Sequence, residues 1–273
     1  MFITDTLIHR LRRGCETMDY PQGPAPALPD RHGGALKVDS IKCADECAAC
    51  VDVCPTGAIT RAGGKPVALD LGRCVFCAEC VDLCSRGAIT RTGDHRMAVG
   101  NRGDLLLGEP GREQVRLAAA LDAKLLRLFG RSLRLRQVSA GGCNGCEADT
   151  NVLGTIGWDL GRFGIQFVAS PRHADGLLVT GPVSKGMELA LKKTYDAVPA
   201  PKIVIATGAC AIAGGPFVGH PQVHNGAAAI LPVDLYIPGC PPHPLTILDG
   251  LLRMLDRLDE KSVTATNRCG TAV

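Results

Sequence analysis

From residue 133 onward, short apolar runs alternate with longer segments whose apolar positions recur every three or four residues. The runs 133–138 (LRLRQV), 164–169 (GIQFVA), 176–180 (GLLVT), 202–206 (KIVIA) and 234–237 (DLYI) have the length and β-branched content of strands. Several are apolar at nearly every position, as strands covered on both faces are. Segments 148–160, 184–195 and 244–258 read as helices between or after them. This alternation predicts an α/β domain with a doubly wound, flavodoxin-like parallel sheet. Upstream, Val115, Leu117, Ala118, Leu121, Leu125, Leu128 and Phe129 give residues 112–129 an apolar side and predict an amphipathic helix. Arg127, Arg131, Arg134 and Arg136 follow closely. Such a basic stretch either docks on anionic lipid or an acidic subunit face, or is a solvated face.

Before residue 100 the pattern is different, and a repeat organises it. Residues 47–63 read CAACVDVCPTGAITRAG and residues 77–93 read CAECVDLCSRGAITRTG, thirty positions on, with twelve of seventeen residues identical. That marks a duplicated unit. Each copy runs from a cysteine loop through a helix-like turn into a short Gly-Ala-Ile-Thr strand. A unit this small cannot bury a core unaided, so whatever its cysteines hold must form part of its interior.

Twelve of the fourteen cysteines fall into three groups. The first is Cys43-x3-Cys47-x2-Cys50-x3-Cys54-Pro55, and the second is Cys74-x2-Cys77-x2-Cys80-x3-Cys84. The third is Gly142-Cys143-Asn144-Gly145-Cys146-Glu147, completed by Cys210 and by Cys240 in Pro238-Gly239-Cys240-Pro241-Pro242. Thiolates on tight loops with glycine and proline neighbours fit iron–sulfur clusters, because the backbone must wrap the cluster and aim amides at its sulfurs. Zinc uses paired CxxC motifs, but two four-cysteine runs with a Cys-Pro ending fit cluster ligation better. Disulfides need an oxidising compartment, and residues 1–20 show neither an apolar signal core nor a small-residue cleavage site. The expected home is the cytoplasm.

Charge and composition narrow the class further. A net charge of +3 and 4% aromatic residues leave neither the basic field nor the stacking platforms that nucleic acid requires. No apolar run reaches the ~18 residues of a membrane span, so membrane attachment is expected through partner subunits. Cys143 and Cys146 follow the first strand of the α/β segment, Cys210 follows 202–206, and Cys240 follows 234–237. All four thus lie beyond the carboxyl ends of parallel strands, the edge where open α/β sheets place ligands.

Residues 36–100 resemble a bacterial two-cluster ferredoxin, a small α+β domain. In that family the fourth cysteine of each run ligates the other cluster. The resemblance implies one set of Cys43, Cys47, Cys50 and Cys84, and a second of Cys74, Cys77, Cys80 and Cys54. Two departures stand out: three residues separate Cys43 from Cys47, and Ser85 follows Cys84 where proline is usual. Residues 133–258 resemble another family, through GCNGCE at 142–147, SPRHAD at 170–175, VTGP at 179–182, GAC at 208–210 and YIPGCPP at 236–242. It contains the 20-kilodalton subunit of respiratory complex I and the small subunits of energy-converting nickel–iron hydrogenases, including formate hydrogenlyase. Complex I members usually have adjacent cysteines in the first motif, so Cys143-x2-Cys146 is more similar to the hydrogenase branch.

These resemblances imply three 4Fe–4S clusters and single-electron relay within a membrane-bound, complex I-like oxidoreductase. The implied partners are a large catalytic subunit of the hydrogenase or complex I 49-kilodalton type, further subunits, and a redox donor or acceptor protein. Attachment would be peripheral, on the inner face of the cell membrane. Alternatives are a quinone-reducing NADH dehydrogenase-type subunit, a free ferredoxin-like carrier or redox sensor, and a family member serving a catalytic subunit without nickel. The expected organisation is an arm (1–35), a two-cluster domain (36–100), a connector with a helix (101–132), the α/β domain (133–260) and a tail (261–273). Residues 21–34, rich in proline and glycine, read as a linker or an arm lying on a partner. Glu147 reads as an acid at a helix start or a proton-moving group, and His243 as a helix-start histidine or a cluster neighbour. Arg172 and His173 either anchor a partner or pair with Asp175. Cys15 and Cys269 read as ordinary thiols.

Overall fold

The structure, a computed structural model, describes residues 3–14, 16–29, 31–43, 47–62, 66–109 and 111–258. Cys15 and Cys269 lie outside the described residues. Helix α1 (Ile3–Arg13) ends at Gly14, whose φ of +68° lets its amide return to the Arg10 carbonyl at 2.9 Å. The following arm is fastened to this same chain. The Met18 amide donates to Gly157 O at 3.0 Å, and the Arg162 guanidinium holds the Met18 and Tyr20 carbonyls at 2.6 and 2.7 Å. The Tyr20 hydroxyl donates to the buried Asp249 carboxylate at 3.0 Å.

The cysteine-rich unit contains β1 (Leu36–Val38), α2 (Ala49–Asp52), β2 (Ile59–Thr60), β3 (Ala68–Asp70), α3 (Glu79–Asp82), β4 (Ile89–Arg91) and β5 (Leu106–Leu107). α2 and α3, and the starts of β2 and β4, keep the thirty-residue offset of the repeat. β1 pairs antiparallel with β4, and β3 lies antiparallel between β2 and β5. Ile59, Leu69, Leu71, Ile89, Leu105 and Leu107 are buried, so the unit has an aliphatic core beside its cysteines.

The second unit contains α4 (Ala123–Phe129), β6 (Leu133–Ser139), α5 (Gly145–Val152), β7 (Ile165–Phe167), β8 (Gly176–Thr180), α6 (Lys185–Ala197), β9 (Ile203–Thr207), α7 (Ala209–Ala213), β10 (Leu235–Ile237) and α8 (Pro244–Met254). Its five strands are all parallel, in the order β7-β6-β8-β9-β10. Counted along the chain this is the flavodoxin-like order 2-1-3-4-5, whose switch point lies between β6 and β8. Every residue of β8, β9 and β10 is buried, the fate of strands covered on both faces.

The helix expected over residues 112–129 forms only at Ala123–Phe129. Asp122 starts it, its carboxylate accepting the Lys124 and Leu125 amides at 2.9 and 3.0 Å. Upstream, the backbone is engaged elsewhere: Glu113 O accepts from Val38, and the Ala118 and Leu121 amides donate to Ala98 and Met254. Tertiary hydrogen bonds outweigh the local apolar period there. Likewise α5 begins at Gly145 and ends at Val152, short of the expected residue 160.

The two units share a joint. Val99 forms an antiparallel bridge with Tyr236 at the edge strand β10, with hydrogen bonds of 3.0 and 2.9 Å. A Cβ at Gly250 of α8 would lie 2.7 Å from the Ala98 Cβ, so only glycine permits this approach. One continuous buried cluster contains Leu36, Ile59 and Ile89 together with Val138, Val179 and Val204.

Candidate metal centres

The repeat places its cysteines around two separate spaces. A cavity of about 110 Å³ is lined by Cys43, Cys47, Cys50 and Cys84, and a tighter one by Cys54, Cys74, Cys77 and Cys80. Each space therefore takes three thiols from one copy and the fourth from the other. The order follows from the topology: α2 and α3 pack together, so the last cysteine of each run faces the opposite copy. The Ala58 amide donates to Cys54 Sγ, and its repeat counterpart, the Ala88 amide, donates to Cys84 Sγ, both at 3.2 Å. The Phe76 amide reaches Cys74 Sγ at 3.3 Å.

These contacts set the thiol acidities apart. Burial works to raise Cys54 and Cys84, but converging backbone amides outweigh it and hold both below the ordinary thiol value. Burial pushes Cys74 up to about 12, with Cys80, Cys54 and Cys77 adding repulsion. Cys80 is pushed up to about 11 by burial first and then by Cys77, Cys54 and Cys50. Cys50 is raised by burial, with Cys43, Cys47 and Cys84 contributing.

The third set converges at the carboxyl edge of the parallel sheet. Cys143 lies in the loop after β6, Cys146 in the first turn of α5, Cys210 in the first turn of α7, and Cys240 just after β10. Burial pushes Cys146 up to about 12, followed by Cys210, Glu147, Cys240 and Cys143. Cys210 is pushed up to about 11 by burial, with Cys240 and Cys143 adding to it. Glycines let the backbone close in. A Cβ at Gly208, where φ is +90°, would lie 2.4 Å from Cys146 Sγ. One at Gly215, where φ is +53°, would lie 2.8 Å from Cys210 Sγ.

Among the described residues, no group of three or more His, Cys, Asp or Glu side chains is placed to hold a single metal ion. The two quartets of the repeat instead surround volumes, and four thiols with backbone amides aimed at their sulfurs are the donor set of an iron–sulfur cluster. The quartets of the repeat fit that group, with amides on Cys54, Cys74 and Cys84, and the third set offers four thiols at one sheet edge. Cys47, Cys77, Cys143 and Cys240 are exposed, whereas Cys74 and Cys80 are buried.

Neighbouring side chains answer the remaining expectations. Glu147 is buried, and its Oε1 accepts from Thr180 Oγ1 at 2.6 Å. Burial raises its pKa, but hydrogen bonds from Ser139 and Thr180 outweigh this and hold the carboxyl below its ordinary value. His243 does start a helix: its Nδ1 accepts the Leu245 amide at 3.1 Å. It is not a free surface group, since His32 and Trp158 flank it with ring centroids at 5.0 and 6.0 Å. Asp175 accepts the Arg134 amide at 2.7 Å, which ties β6 to the loop before β8.

Two features escaped sequence reasoning. Arg61 directs Nη1 to Cys47 O at 2.5 Å and to Cys43 Sγ at 3.9 Å. Its presence at the same place in both copies, as Arg61 and Arg91, was the available signal. The other is a cleft of about 470 Å³ between the units, walled by Phe76, Cys77 and Arg91 on one side and by Gly239, Pro241 and His243 on the other.

Comparison with known proteins finds relatives of the second unit. Residues 143–254 match the family model described as NADH ubiquinone oxidoreductase, 20 Kd subunit. A probable membrane-bound hydrogenase subunit mbhJ of Pyrococcus furiosus is 44% identical over 136 residues, half of this chain and 81% of that protein. Formate hydrogenlyase subunit 7 of Escherichia coli is 43% identical over 143 residues, 52% of this chain and 56% of that protein. An NADH-quinone oxidoreductase subunit of Clostridium beijerinckii is 46% identical over 114 residues, 41% of this chain and 68% of that protein. All three are subunits of oxidoreductases.

Proposed function

The chain belongs to the family of the NADH ubiquinone oxidoreductase 20-kilodalton subunit, and from that premise we propose that it relays single electrons through three 4Fe–4S clusters. The observation that carries the reading is the sorting of twelve cysteines into three quartets, two of them drawn across the repeat and one across the sheet edge. Each cluster, when bound, supplies a one-electron redox centre. Cys43, Cys47, Cys50 and Cys84 hold the first; Cys54, Cys74, Cys77 and Cys80 the second; Cys143, Cys146, Cys210 and Cys240 the third. The amides of Ala58, Ala88 and Phe76 donate to ligand sulfurs and thereby favour the more negative, reduced state. The cysteine-rich unit on this reading is a two-cluster ferredoxin-like domain fused ahead of the family module.

The exposed Cys143 and Cys240 support a docking role for the sheet edge, with a large catalytic subunit covering it. Cys77 and the Cys240 loop face the same cleft, which supports a relay in which the second site stands between the first and third. The complex is a membrane-associated, complex I-like oxidoreductase. Two relatives of the hydrogenase type and the Cys143-x2-Cys146 spacing favour an energy-converting hydrogenase, formate hydrogenlyase-like. The similarity to a quinone oxidoreductase subunit favours quinone reduction as the second reading. Two CxxC pairs near the ends of the partner large subunit would decide for nickel. No described helix is long and apolar enough to cross a membrane, in keeping with peripheral attachment on the cytoplasmic face.

Anaerobic preparation should yield roughly twelve irons and twelve acid-labile sulfides per chain, four of each per cubane cluster. Zinc in place of iron would overturn the reading. Recovery of the loaded chain alone in the soluble fraction, with no large subunit in any mild detergent, would favour a free carrier.

A further inference from the structure

Helix α1 buries none of its residues, although four of its eleven are large and apolar. Ile3, Leu7, Ile8 and Leu11 are 82, 56, 46 and 83% exposed. At about 100° per residue they share one stripe about 140° wide, the width of a face meant to be covered. Arg10 and Arg12 flank that stripe on either side, and His9 and Arg13 lie on the polar face behind it. Asp5 is the helix's one acid. Nothing else in the described chain covers the stripe, and the helix remains formed and capped at Gly14.

Three chemistries could cover such a face, and the charge pattern selects among them. A second copy of α1 would bring Arg10 and Arg12 against their own like charges. A protein groove would have to match both the stripe and its two basic margins. An anionic bilayer surface does so without further design: leucine and isoleucine enter the acyl boundary while flanking arginines extend to lipid phosphates. The arm that follows α1 is gripped by Arg162 and Asp249, so a helix lying on lipid would hold the α/β unit beside the membrane.

We propose that α1 lies in the interface of an anionic bilayer and attaches this chain to the membrane directly, not solely through partner subunits. The contact is parallel to the surface; at 11 residues the helix is too short to span. It is independent of cluster ligation, so its failure leaves the relay reading untouched.

The test is co-sedimentation of the purified full chain with vesicles of phosphatidylglycerol and phosphatidylcholine, against phosphatidylcholine alone, at low and high salt. Binding is expected on the anionic vesicles, weakened about fivefold per neutralised arginine near the surface and further weakened by salt. The double variant Leu7→Glu/Leu11→Glu should lose at least about tenfold in partitioning, since each leucine forfeits its apolar burial. Arg12→Gln, at the margin of the stripe, should weaken binding to anionic vesicles only. None of these side chains packs on the body of the protein, and an unchanged Tm and iron content would verify that the variants fold. Absence of wild-type binding to anionic vesicles, or undiminished binding by the double leucine variant, overturns the proposal. Binding solely to membranes that carry partner subunits would also overturn it, in favour of a protein groove.

Discussion

Gly208→Ala should empty the third centre and spare the other two. Gly208 closes the turn between β9 and α7 with φ at +90°, and a Cβ there would sit 2.4 Å from Cys146 Sγ. The unfavourable backbone costs about 1–3 kcal/mol for any L side chain. Overpacking a site that cannot yield adds about 1–3 kcal/mol. Against a domain stability of about 5–15 kcal/mol, this destabilises the chain without unfolding it. The local effect is larger than the global one. The Gly208 amide donates to Ile237 O and the Ala209 amide to Gly239 O, both at 2.8 Å, so a shift at Gly208 moves the Cys240 loop as well. Two of four ligands are then displaced.

The assay is iron and labile sulfide content with electron paramagnetic resonance of the reduced protein. The variant should fall from about twelve irons to about eight, with the signals of the cysteine-rich unit retained, since one cubane carries four. Gly186→Ala is the control: it lies on exposed α6 with no atom within 4 Å of its would-be Cβ. Helix propensity there favours alanine by up to about 1 kcal/mol, and full loading is expected. A fully loaded Gly208→Ala with an unchanged third signal would refute the assignment of Cys146 and Cys240 to one centre.

Cys240→Ala should likewise remove one cluster and leave the two of the repeat, while Cys54→Ala should empty the site lined by Cys74, Cys77 and Cys80; spectra showing the reverse would mean the quartets are wrongly composed. Arg61→Gln removes a cation beside Cys43 and Cys47, so reduction at that site becomes less favourable. A loss of about 0.5–1 kcal/mol corresponds to roughly 20–40 mV for one electron, read as a lower midpoint in a potentiometric titration, with the other two sites unmoved. The metal-free chain should lose stability in alkali, because Cys74, Cys80, Cys146 and Cys210 have folded pKa values raised from 9.0 to about 12, 11, 12 and 11. A raised pKa contributes stability below the unfolded value, and the contribution is lost as pH climbs through the folded value. Thermal melts from about pH 9 to 11 should therefore fall for the metal-free chain, but not for the loaded one, whose thiols are already deprotonated.

The sheet and its ligand edge were legible because their signals are local. β8 and β9 are runs of five buried residues, and the expected segments 176–180 and 202–206 differ from them by at most one position. The carboxyl edge followed from strand order and direction alone, and Cys143, Cys146, Cys210 and Cys240 all lie there. The repeat was legible for the same reason: the shared Cys-Val-Asp, thirty positions apart, lies in α2 and α3 with identical bounds relative to their cysteines. What misled was residues 112–121, where the apolar spacing suits a helix. There the decisive partners are Val38, Ala98 and Met254, each far away along the chain.

The joint between the units was hidden for a related reason, and it changes how the chain must be pictured. A linker-separated cysteine-rich unit would be free to turn, yet Val99 extends the sheet at β10 and Ala98 seats against Gly250. Neither contact has a sequence pattern; each depends on two surfaces that exist only once both units have folded. The arm adds a second clasp, since Tyr20 reaches Asp249 in α8 while His32 packs its ring against His243. The loop of Cys77 and the loop of Cys240 consequently wall the same cleft. Electron relay needs neighbouring sites at a constant separation, and a shared core supplies what a flexible linker cannot. The two units are therefore more than tethered: the paired backbone of Val99 and Tyr236 fixes the repeat against the edge strand of the sheet.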